Sequence, residues 1–343
     1  MNIRDAIKTI VGGSDLTTEQ SVAVFNEIWA GTATDAQISA FIVALRMKGE
    51  SVDEITGAAT VMRNSAVHVI PSSPSNVLDT CGTGGDGANT FNISTASALV
   101  AAGAGAVVAK HGNRSVSSKC GSADVLEALG VIISISPERM KESIDKTGIA
   151  FLFAPSLHKA MKYAIGPRKE IGIRTIFNVL GPLTNPALAP AQIMGVFSAN
   201  LTETMATVLN NMGTRRAFVV HGLDGLDEIS LCAATRISEV NNKSVKTYTI
   251  QPEDFGFNRV PQDSIVGGTP VENAAIIRDI LSEKKGPCRD IVLLNTAFAL
   301  TAAGIAADPA DGIARAAASI DSGAALRKLE ALVSFTKEVS QAG

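Results

Sequence analysis

Asp79-Thr-Cys-Gly-Thr-Gly-Gly-Asp-Gly87 is the stretch that decides the fold of this chain, and Asn89-Thr-Phe-Asn-Ile-Ser-Thr95 follows it almost at once. Val77 and Leu78, just before it, are typical of the end of a short buried strand. The four glycines between positions 82 and 87 remove side chains that would keep backbone N–H groups away from an anion. The stretch predicts a loop that wraps a phosphate, and residues 79–92 are called the glycine loop below.

A helix is expected directly after the glycine loop. Ser94 or Thr95 can cap a helix through residues 96–102, whose N-terminal amides and dipole would face the same anion. The next apolar run leads into Lys110-His-Gly-Asn-Arg114, which brings positive charge. Strand, loop and helix start are therefore predicted to converge on one anion site.

The first 70 residues predict a small all-α domain. The capping box, a hydroxyl residue followed three positions later by Glu or Gln, occurs at Thr17, Thr34 and Ser51. Each box opens a segment with apolar residues at helical spacing, and a further helix is expected near Ile3 to Ile10. Pro71-Ser-Ser-Pro-Ser75 then indicates a linker, so the domain boundary is placed near residue 70.

From residue 71 to 343 the pattern predicts a large α/β domain. Uninterrupted apolar runs alternate with helical segments, which indicates a mainly parallel central sheet flanked by helices. The predicted strands lie at 77–78, 106–109, 131–133, 149–153, 193–197 and 217–220, and a last helical region runs from 308 to 337. Residues 154–190 form a basic insertion with little strand character, and part of 160–186 is expected to join the helical domain.

The composition excludes several classes of protein. With 46% apolar and 18% charged residues the composition is that of a globular protein. A net charge of -3 lacks the overall positive charge that is typical of nucleic-acid-binding proteins. Four cysteines without a C-x-x-C pair favour reduced thiols in the cytoplasm over zinc or disulfides. No export signal and no membrane span are expected.

The glycines also permit two other interpretations. Gly82, Gly84 and Gly87 satisfy the dinucleotide pattern G-x-G-x-x-G, but the acidic residue expected about 20 positions later is replaced by Lys110 and His111. Lysine would suit the phosphate of NADP, so that interpretation stays open. A merely tight turn would explain the glycines but not the polar residues crowded beside them.

Two adjacent carboxylates predict a magnesium site. Asp227 and Glu228 follow the apolar strand at 217–220, within His221-Gly-Leu-Asp-Gly-Leu-Asp-Glu228, at the strand end where open α/β sheets bind ligands. Mg²⁺ prefers one or two carboxylates together with substrate phosphate oxygens. Alone, the two carboxylates would indicate a solvated turn. The predicted phosphate loop nearby favours the magnesium site instead.

The histidines and Cys81 carry weaker signals. The four histidines lack metal-ligand spacing on any one helix, so zinc or iron is not expected, while His111 and His158 are candidates to line the pocket. Cys81 has no adjacent base in the sequence and is expected to be a small packing residue.

Five motifs in this order give the chain a closer likeness. The glycine-loop motifs, Lys110-His-Gly-Asn-Arg114, Arg174-Thr-Ile-Phe-Asn-Val-Leu-Gly-Pro-Leu183 and the segment 221–228 together resemble the anthranilate phosphoribosyltransferase family over nearly the whole chain. The resemblance implies transfer of phosphoribose from phosphoribosyl pyrophosphate to the amine of anthranilate, in tryptophan biosynthesis. It also implies a Mg²⁺-dependent homodimer that associates through the helical domain.

The resemblance implies a role for each residue that matches a family motif. For the pyrophosphate end of the donor these are Gly82, Gly85, Asp86, Thr90, Asn92, Ile93, Ser94 and Thr95. For the rest of the phosphoribosyl pocket they are Lys110, His111, Gly112, Asn113, Arg114, Ser115, Val116, Ser117, Ser118 and Ser122. Anthranilate would contact Gly82, Asn113 and Arg168, with His111 and His158 nearby. Magnesium would bind Ser94, Asp227 and Glu228, and Lys110 would act electrostatically.

One departure and two alternative functions accompany this assignment. Lys159 stands where the family usually has proline, which affects only the expected shape of that loop. A pyrimidine nucleoside phosphorylase has a similar fold, but its lysine-histidine-serine signature before the glycines is absent. A non-catalytic nucleotide or nucleic-acid binder would need a basic groove, which the acidic pI of about 5.9 disfavours.

Overall fold

The computed structural model describes residues 1–115 and 119–341 of the chain. Its first 64 residues form four helices, and all three predicted capping boxes are confirmed: the hydroxyls of Thr17, Thr34 and Ser51 each accept the backbone N–H three residues on. The helices are α1 (Ile3–Val11), α2 (Thr18–Trp29), α3 (Asp35–Lys48) and α4 (Val52–Asn64).

The helical region has an aromatic centre that it shares with the basic insertion. Phe25 packs edge-on against Trp29 and Phe41, and Phe177 of the insertion stacks on Trp29 with ring centroids 5.8 Å apart. Ala164 and Leu183 are buried in the same cluster. These contacts support the division that we propose, residues 1–70 with part of 160–186 against the remainder of 71–343.

A seven-stranded sheet forms the centre of the rest of the chain, in the order β3-β2-β1-β4-β5-β6-β7. Its first five strands in this order are parallel, while β6 and β7 pair antiparallel. The strands are β1 (Val77–Asp79), β2 (Val107–Gly112), β3 (Ile149–Phe153), β4 (Ala191–Gly195), β5 (Arg216–Gly222), β6 (Thr235–Asn241) and β7 (Ser244–Ile250).

Helices cover both faces of this sheet, which confirms the predicted α/β class. Successive residues of β5 alternate between two cores: Ala217 and Val219 lie in the core that also contains residues of α1–α4, while Phe218 and Val220 lie in the core that contains the C-terminal helices. The remaining helices are α5 (Ile93–Gly103), α6 (Ser122–Ala128), α7 (Pro137–Thr147), α8 (Ala154–Leu157), α9 (Lys162–Ile171), α10 (Phe177–Leu180), α11 (Leu201–Asn211), α12 (Pro270–Leu281), α13 (Pro287–Ala303), α14 (Pro309–Asp321) and α15 (Ala324–Gln341).

One predicted element was wrong. Residues 131–133 are not a strand: the backbone N–H of Ile132 donates to the hydroxyl of Thr336, and no neighbouring strand pairs with this segment. The predicted helical region 308–337 is confirmed, and it consists of two helices because Gly323 takes a left-handed φ of 71° after α14. Among the described residues, no helix is both long and apolar enough to cross a bilayer.

Candidate active site

The site lies at the carboxyl edge of the parallel strands. β1 ends at Asp79 and runs into the glycine loop, β2 ends with Lys110, His111 and Gly112, and Asp227 follows β5. Because parallel strands present their carboxyl ends at one edge, three separate segments of sequence meet there.

The front half of the glycine loop, residues 82–87, presents backbone to the site. Gly84, Gly85 and Gly87 have φ between 65° and 82°, a region that disfavours side chains. Thr83 anchors the half by donating its N–H to the carbonyl of Gly195, at 2.8 Å. In the described part of the chain, the N–H groups of Gly85, Asp86 and Gly87 have no acceptor, so they remain available to an anion.

The back half, residues 89–92, is held like a piece of sheet. Thr90 pairs antiparallel with Val266, and the N–H of Gly267 donates to the carbonyl of Asn89 at 2.8 Å. A side chain at Gly267 would lie 2.6 Å from the backbone of Phe91, so only glycine fits. The sequence pattern did not indicate this contact, since it joins segments about 175 residues apart.

The helix after the loop begins earlier than predicted. α5 starts at Ile93, so Asn92 holds the N-cap position and Ser94 and Thr95 lie in the first turn. The predicted cap at Ser94 or Thr95 was wrong, because the helical backbone already begins after Asn92. The side chain of Asn92 hydrogen-bonds to Cys120 and Asn273 and does not cap the helix. Thr95 is buried, and its hydroxyl has no partner among the described residues.

Lys110 is buried with its ammonium bonded to the protein. Nζ donates to the hydroxyl of Thr80 at 3.0 Å and to the hydroxyl of Ser94 at 3.3 Å. Burial lowers the pKa of Lys110, while the nearby carboxylates raise it. The lysine therefore fixes the first turn of α5 and places its charge behind the anion site.

Three carboxylates gather opposite this lysine. Asp86 in the loop accepts the backbone N–H of Asp227 at 3.3 Å. Burial, then Asp86 and Glu228, raise the pKa of Asp227 well above its ordinary value; burial raises the pKa of Glu228 to about 8, against the opposing charge of Lys110. Ser94 donates to Glu228. Buried negative charge that exceeds the nearby positive charge suits a divalent cation.

Asn295 on α13 positions the acidic pair through the next residue. Its side-chain amide accepts the N–H of Ile229 and donates to the carbonyl of Ile229, both at 2.9 Å. The oxygen and the nitrogen of the buried Asn295 amide thus both have hydrogen-bond partners, and the backbone that follows Glu228 is fixed. Nothing in the local sequence around Asn295 indicated this role.

Asp79, which was quoted only as part of the motif, braces the start of the loop. Its Oδ1 accepts the N–H of Cys81 and the N–H of His111, each at 3.1 Å, which ties β1 to β2. Burial raises the pKa of Asp79 to about 6. Potential metal-ligand atoms of Asp79, Cys81 and His111 lie within 4.8 Å of one another. The two hydrogen bonds engage Oδ1 of Asp79, while its buried Oδ2 has no hydrogen-bond partner among the described residues, and both ring nitrogens of His111 are bonded. Asp79 therefore supports the start of the loop through Oδ1.

His111 and His158 form a buried pair. Nδ1 of His111 donates to the carbonyl of Gly181 at 3.1 Å, so its Nε2 accepts from Nε2 of His158 at 3.2 Å. Burial lowers the pKa of His111 to about 3 and that of His158 to about 4, so both rings are neutral at pH 7. The pair joins β2 to the basic insertion.

Arg168 lies on α9 with its guanidinium 5.2 Å from the ring centre of Phe177. It is half-buried, and burial lowers its pKa. In the described ranges it forms no ion pair and no hydrogen bond to Gly82 or Asn113. A half-buried cation without a counter-ion is suited to bind the carboxylate of a ligand.

The segment after β2 is only partly engaged with the site. Asn113 is exposed, and its carbonyl accepts the hydroxyl of Ser122 at 3.2 Å. The guanidinium of Arg114 pairs with Asp124 and Glu127, so it does not point into the site. The N–H of Ser115 also donates to Asp124. The predicted residues Val116, Ser117 and Ser118 lie outside the described residues.

Arg174 was quoted in a motif but given no role, and it contacts the loop directly. Its Nη2 donates to the carbonyl of Gly85, and its guanidinium lies 4.4 Å from the ring centre of Phe197. Arg174 therefore connects the basic insertion to the front half of the loop. The signal available in the sequence for a role of Arg174 was its place at the start of the motif 174–183, within the basic insertion.

The chain matches a known family over most of its length. Residues 4–66 match the helical bundle domain of the glycosyl transferase family, and residues 74–326 match the a/b domain of the same family. Relatives named anthranilate phosphoribosyltransferase include that of Desulfosudis oleivorans, 58% identical over 96% of this chain and 98% of the relative, and that of Geobacter sulfurreducens, 55% identical over 98% and 100%.

Solved structures give the same comparison. The anthranilate phosphoribosyltransferase of Thermus thermophilus superposes with a TM-score of 0.91 at 41% identity, covering 97% of this chain and 99% of that one. The enzyme of Saccharomyces cerevisiae, in complex with phosphoribosyl pyrophosphate and Mg, superposes with a TM-score of 0.88 at 29% identity, covering 98% of both chains.

Proposed function

The chain belongs to the anthranilate phosphoribosyltransferases, and on that premise we propose how its residues transfer 5-phosphoribose from phosphoribosyl pyrophosphate to the amine of anthranilate. A C–N bond forms at the anomeric carbon as the bond to pyrophosphate breaks, and the amine loses a proton. The products are N-(5-phosphoribosyl)anthranilate and pyrophosphate, a step of tryptophan biosynthesis. The pyrimidine nucleoside phosphorylase alternative is not favoured, because full-length relatives carry the transferase name.

One observation carries the proposal for the donor. The N–H groups of residues 85–87, which have no acceptor within 1–115 and 119–341, lie with the first turn of α5 and the buried Lys110 at the same edge of the sheet. Backbone amides and a helix N-terminus suit the pyrophosphate end, since they hold an anion without a flexible side chain. The proposed contacts there are Gly82, Gly85, Asp86, Thr90 and Asn92 to Thr95, with residues 110–118 and Ser122 around the phosphoribosyl group.

Magnesium is proposed to bind at Ser94, Asp227 and Glu228. The raised pKa values of the two acids support this, because the unliganded site concentrates negative charge that a cation would neutralise. Asp86 adds to that charge, so it belongs to the surroundings of the ion. When bound, Mg²⁺ would neutralise the charge that develops on departing pyrophosphate.

Anthranilate is proposed to bind on the side of the basic insertion. Arg168 offers a planar guanidinium for its carboxylate, and Asn113 and Gly82 lie on the loops that would face its amine. The neutral His111–His158 pair contributes no charge at pH 7, so it would line this side without competing for the carboxylate.

Positioning and electrostatics carry the proposed mechanism. The amine of anthranilate is an aniline, neutral at pH 7, so it needs no strong general base before it attacks. The chain's task is to align that amine with the anomeric carbon and to stabilise the leaving group. Lys110 acts through its field, since its ammonium is bonded to Thr80 and Ser94. No covalent enzyme intermediate is part of the proposal.

We also propose a homodimer through the helical region and a cytoplasmic location. Val11 on α1 and Met47 on α3 are large apolar side chains that are 73% and 83% exposed, which supports an interface there. Cys81, Cys232 and Cys288 form no disulfide in the described residues, as expected for a reducing compartment. Light scattering of the wild type and of a Val11→Glu, Met47→Glu variant checks the dimer, which should dissociate in the variant.

The decisive assay follows the fluorescence of anthranilate in the presence of phosphoribosyl pyrophosphate and Mg²⁺. We expect the fluorescence to fall with stoichiometric release of pyrophosphate. A parallel reaction with a pyrimidine nucleoside and phosphate should give no free base. Base release in the control, without anthranilate consumption in the first reaction, would refute the proposed function.

A further inference from the structure

We infer that Asn273 is a positioning residue for the donor site, acting through Asn92. Asn273 lies near the start of α12, is 1% exposed, and uses both ends of its side-chain amide. Its Nδ2 donates to Oδ1 of Asn92 at 2.9 Å, and its Oδ1 accepts the N–H of Gly268 at 2.7 Å. The residue therefore joins the back half of the glycine loop to a segment distant in the sequence.

The orientation of the Asn92 amide follows from its partners. Its Nδ2 donates to the carbonyl of Cys120 at 3.2 Å, so its Oδ1 must be the atom that faces Asn273. The thiol of Cys120 donates to the same Oδ1 at 3.2 Å, and burial raises the pKa of Cys120 to about 11, which keeps the proton on sulfur. If the Asn92 amide were rotated by a half-turn, its N–H groups would face Nδ2 of Asn273 and the thiol of Cys120, which are both donors.

This arrangement leaves Asn92 with one N–H to offer. Nδ2 carries two, and the described residues accept one of them, at Cys120. Asn92 is also the N-cap residue of α5, so its side chain and the helix amides are held in one geometry before any ligand arrives. Ordering these groups in advance lowers the cost of binding an anion there.

Loss of the Asn273 donor should therefore weaken donor binding. The Asn92 amide would be free to rotate, which would misplace its remaining N–H and weaken its bond to the carbonyl of Cys120. Binding of anthranilate depends on other elements and should change little. The inference rests on the proposed function in one respect, the identity of the donor as phosphoribosyl pyrophosphate.

Two variants separate positioning from simple structural support. Asn273→Asp keeps the acceptor for Gly268 but loses the donor to Asn92, whereas Asn273→Leu loses both. If Asn273 only supported the 265–268 segment, Asn273→Asp would behave like the wild type. Ser143→Ala is the matched control, since it removes a buried hydrogen bond to Ile149 at the opposite edge of the sheet.

The test measures the Kd of phosphoribosyl pyrophosphate by titration calorimetry with Mg²⁺ present, and the KM of anthranilate by fluorescence. We expect both Asn273 variants to raise the donor Kd about 5- to 10-fold, the loss typical of one buried hydrogen bond, with the anthranilate KM within about twofold. Ser143→Ala should leave both unchanged. A wild-type donor Kd in Asn273→Asp would overturn the inference.

A double-mutant cycle tests whether the effect passes through Asn92. In an Asn92→Ala background, Asn273→Leu should raise the donor Kd by no more than about twofold, because the partner is already gone. Additive effects would overturn the inference. Since Kd is measured without turnover, a wild type that binds the donor but does not consume anthranilate would refute only the proposed function; one that does not bind the donor would refute both.

Discussion

The two halves of the glycine loop bind their surroundings in opposite ways. Residues 82–87 have left-handed glycines, and the N–H groups of residues 85–87 have no acceptor among the described residues, whereas residues 89–92 are paired with 265–267 and held by Asn273. Gly85 and Phe91 are only six positions apart in the sequence. The front half is suited to close around a ligand, and the back half is already in place before the ligand binds.

This difference explains why one motif needs both glycines and asparagines. The front half uses backbone as its binding group, so its conformation is the property that matters. The back half must aim the first turn of α5, so it needs side chains that can bond across the fold.

The largest effect is expected where the front half faces the acids. Asp227→Asn with Glu228→Gln should lower kcat by about 100-fold or more and alter the Mg²⁺ dependence, because the charge that would hold the ion is lost. Asp224→Asn, which removes a carboxylate from the same segment, is the control and should keep the wild-type Mg²⁺ curve. Unchanged turnover and metal dependence in the double variant would remove the pair from the mechanism.

Arg168→Ala should raise the KM of anthranilate by about 10- to 100-fold, the value of a lost charged hydrogen bond, and change the donor KM far less. Arg168 contacts neither half of the loop in the described residues, so both halves stay intact in the variant. Arg168→Lys should recover only part of the affinity, since it lacks the planar fork. The exposed neighbour Lys169→Ala serves as the control. Equal effects on both substrates would contradict the assignment.

Gly85→Ala should raise the donor KM by about 10-fold, from left-handed strain of about 1–2 kcal/mol. The new Cβ would also meet the guanidinium of Arg174 at 2.9 Å. Gly105→Ala is a matched control in strain, with φ of 99° and no atom within 4 Å of the new Cβ, at the opposite edge of the sheet. Both variants should lose similar thermal stability, and only Gly85→Ala should change KM.

The smallest effect concerns pH. The folded-state pKa of Glu228 is raised to about 8, so the neutral form stabilises the fold at low pH, and this contribution is lost as pH rises through 8. In metal-free buffer the wild-type Tm should fall between pH 7 and 9, on the order of 2 °C. Glu228→Gln should show a smaller fall. His111 and His158, with lowered pKa values, stay neutral in this range. An equal fall in both proteins would exclude Glu228 as the cause.

Local signals in the sequence accounted for much of the fold. The capping boxes at Thr17, Thr34 and Ser51 predicted three helices correctly because the bonds join residues three apart. The β6–β7 hairpin was missed, since polar residues interrupt the apolar pattern of both strands. Its signal was the pair Asn242 and Lys243, whose φ values of 46° and 71° mark a two-residue hairpin turn.

The site was predicted less evenly. Lys110, Asp227 and Glu228 could be proposed from the sequence because each follows a predicted apolar strand, and the structure brings them together at one edge of the sheet. Asn273 and Asn295 were missed because each acts across the fold on a residue 181 or 66 positions away. Such partners are determined by tertiary packing, which no local pattern encodes.

Amide hydrogen exchange of the wild type, with peptides that separate residues 82–87 from 89–96, tests the division of the loop most directly. Without ligand, the front half should exchange rapidly and the back half slowly, because the N–H of Phe91 donates to Ile265 and that of Ile93 to Phe91. Phosphoribosyl pyrophosphate with Mg²⁺ should slow exchange in the front half and leave the back half unchanged. Equal exchange in the two halves without ligand, or protection by ligand in the back half alone, would contradict the account.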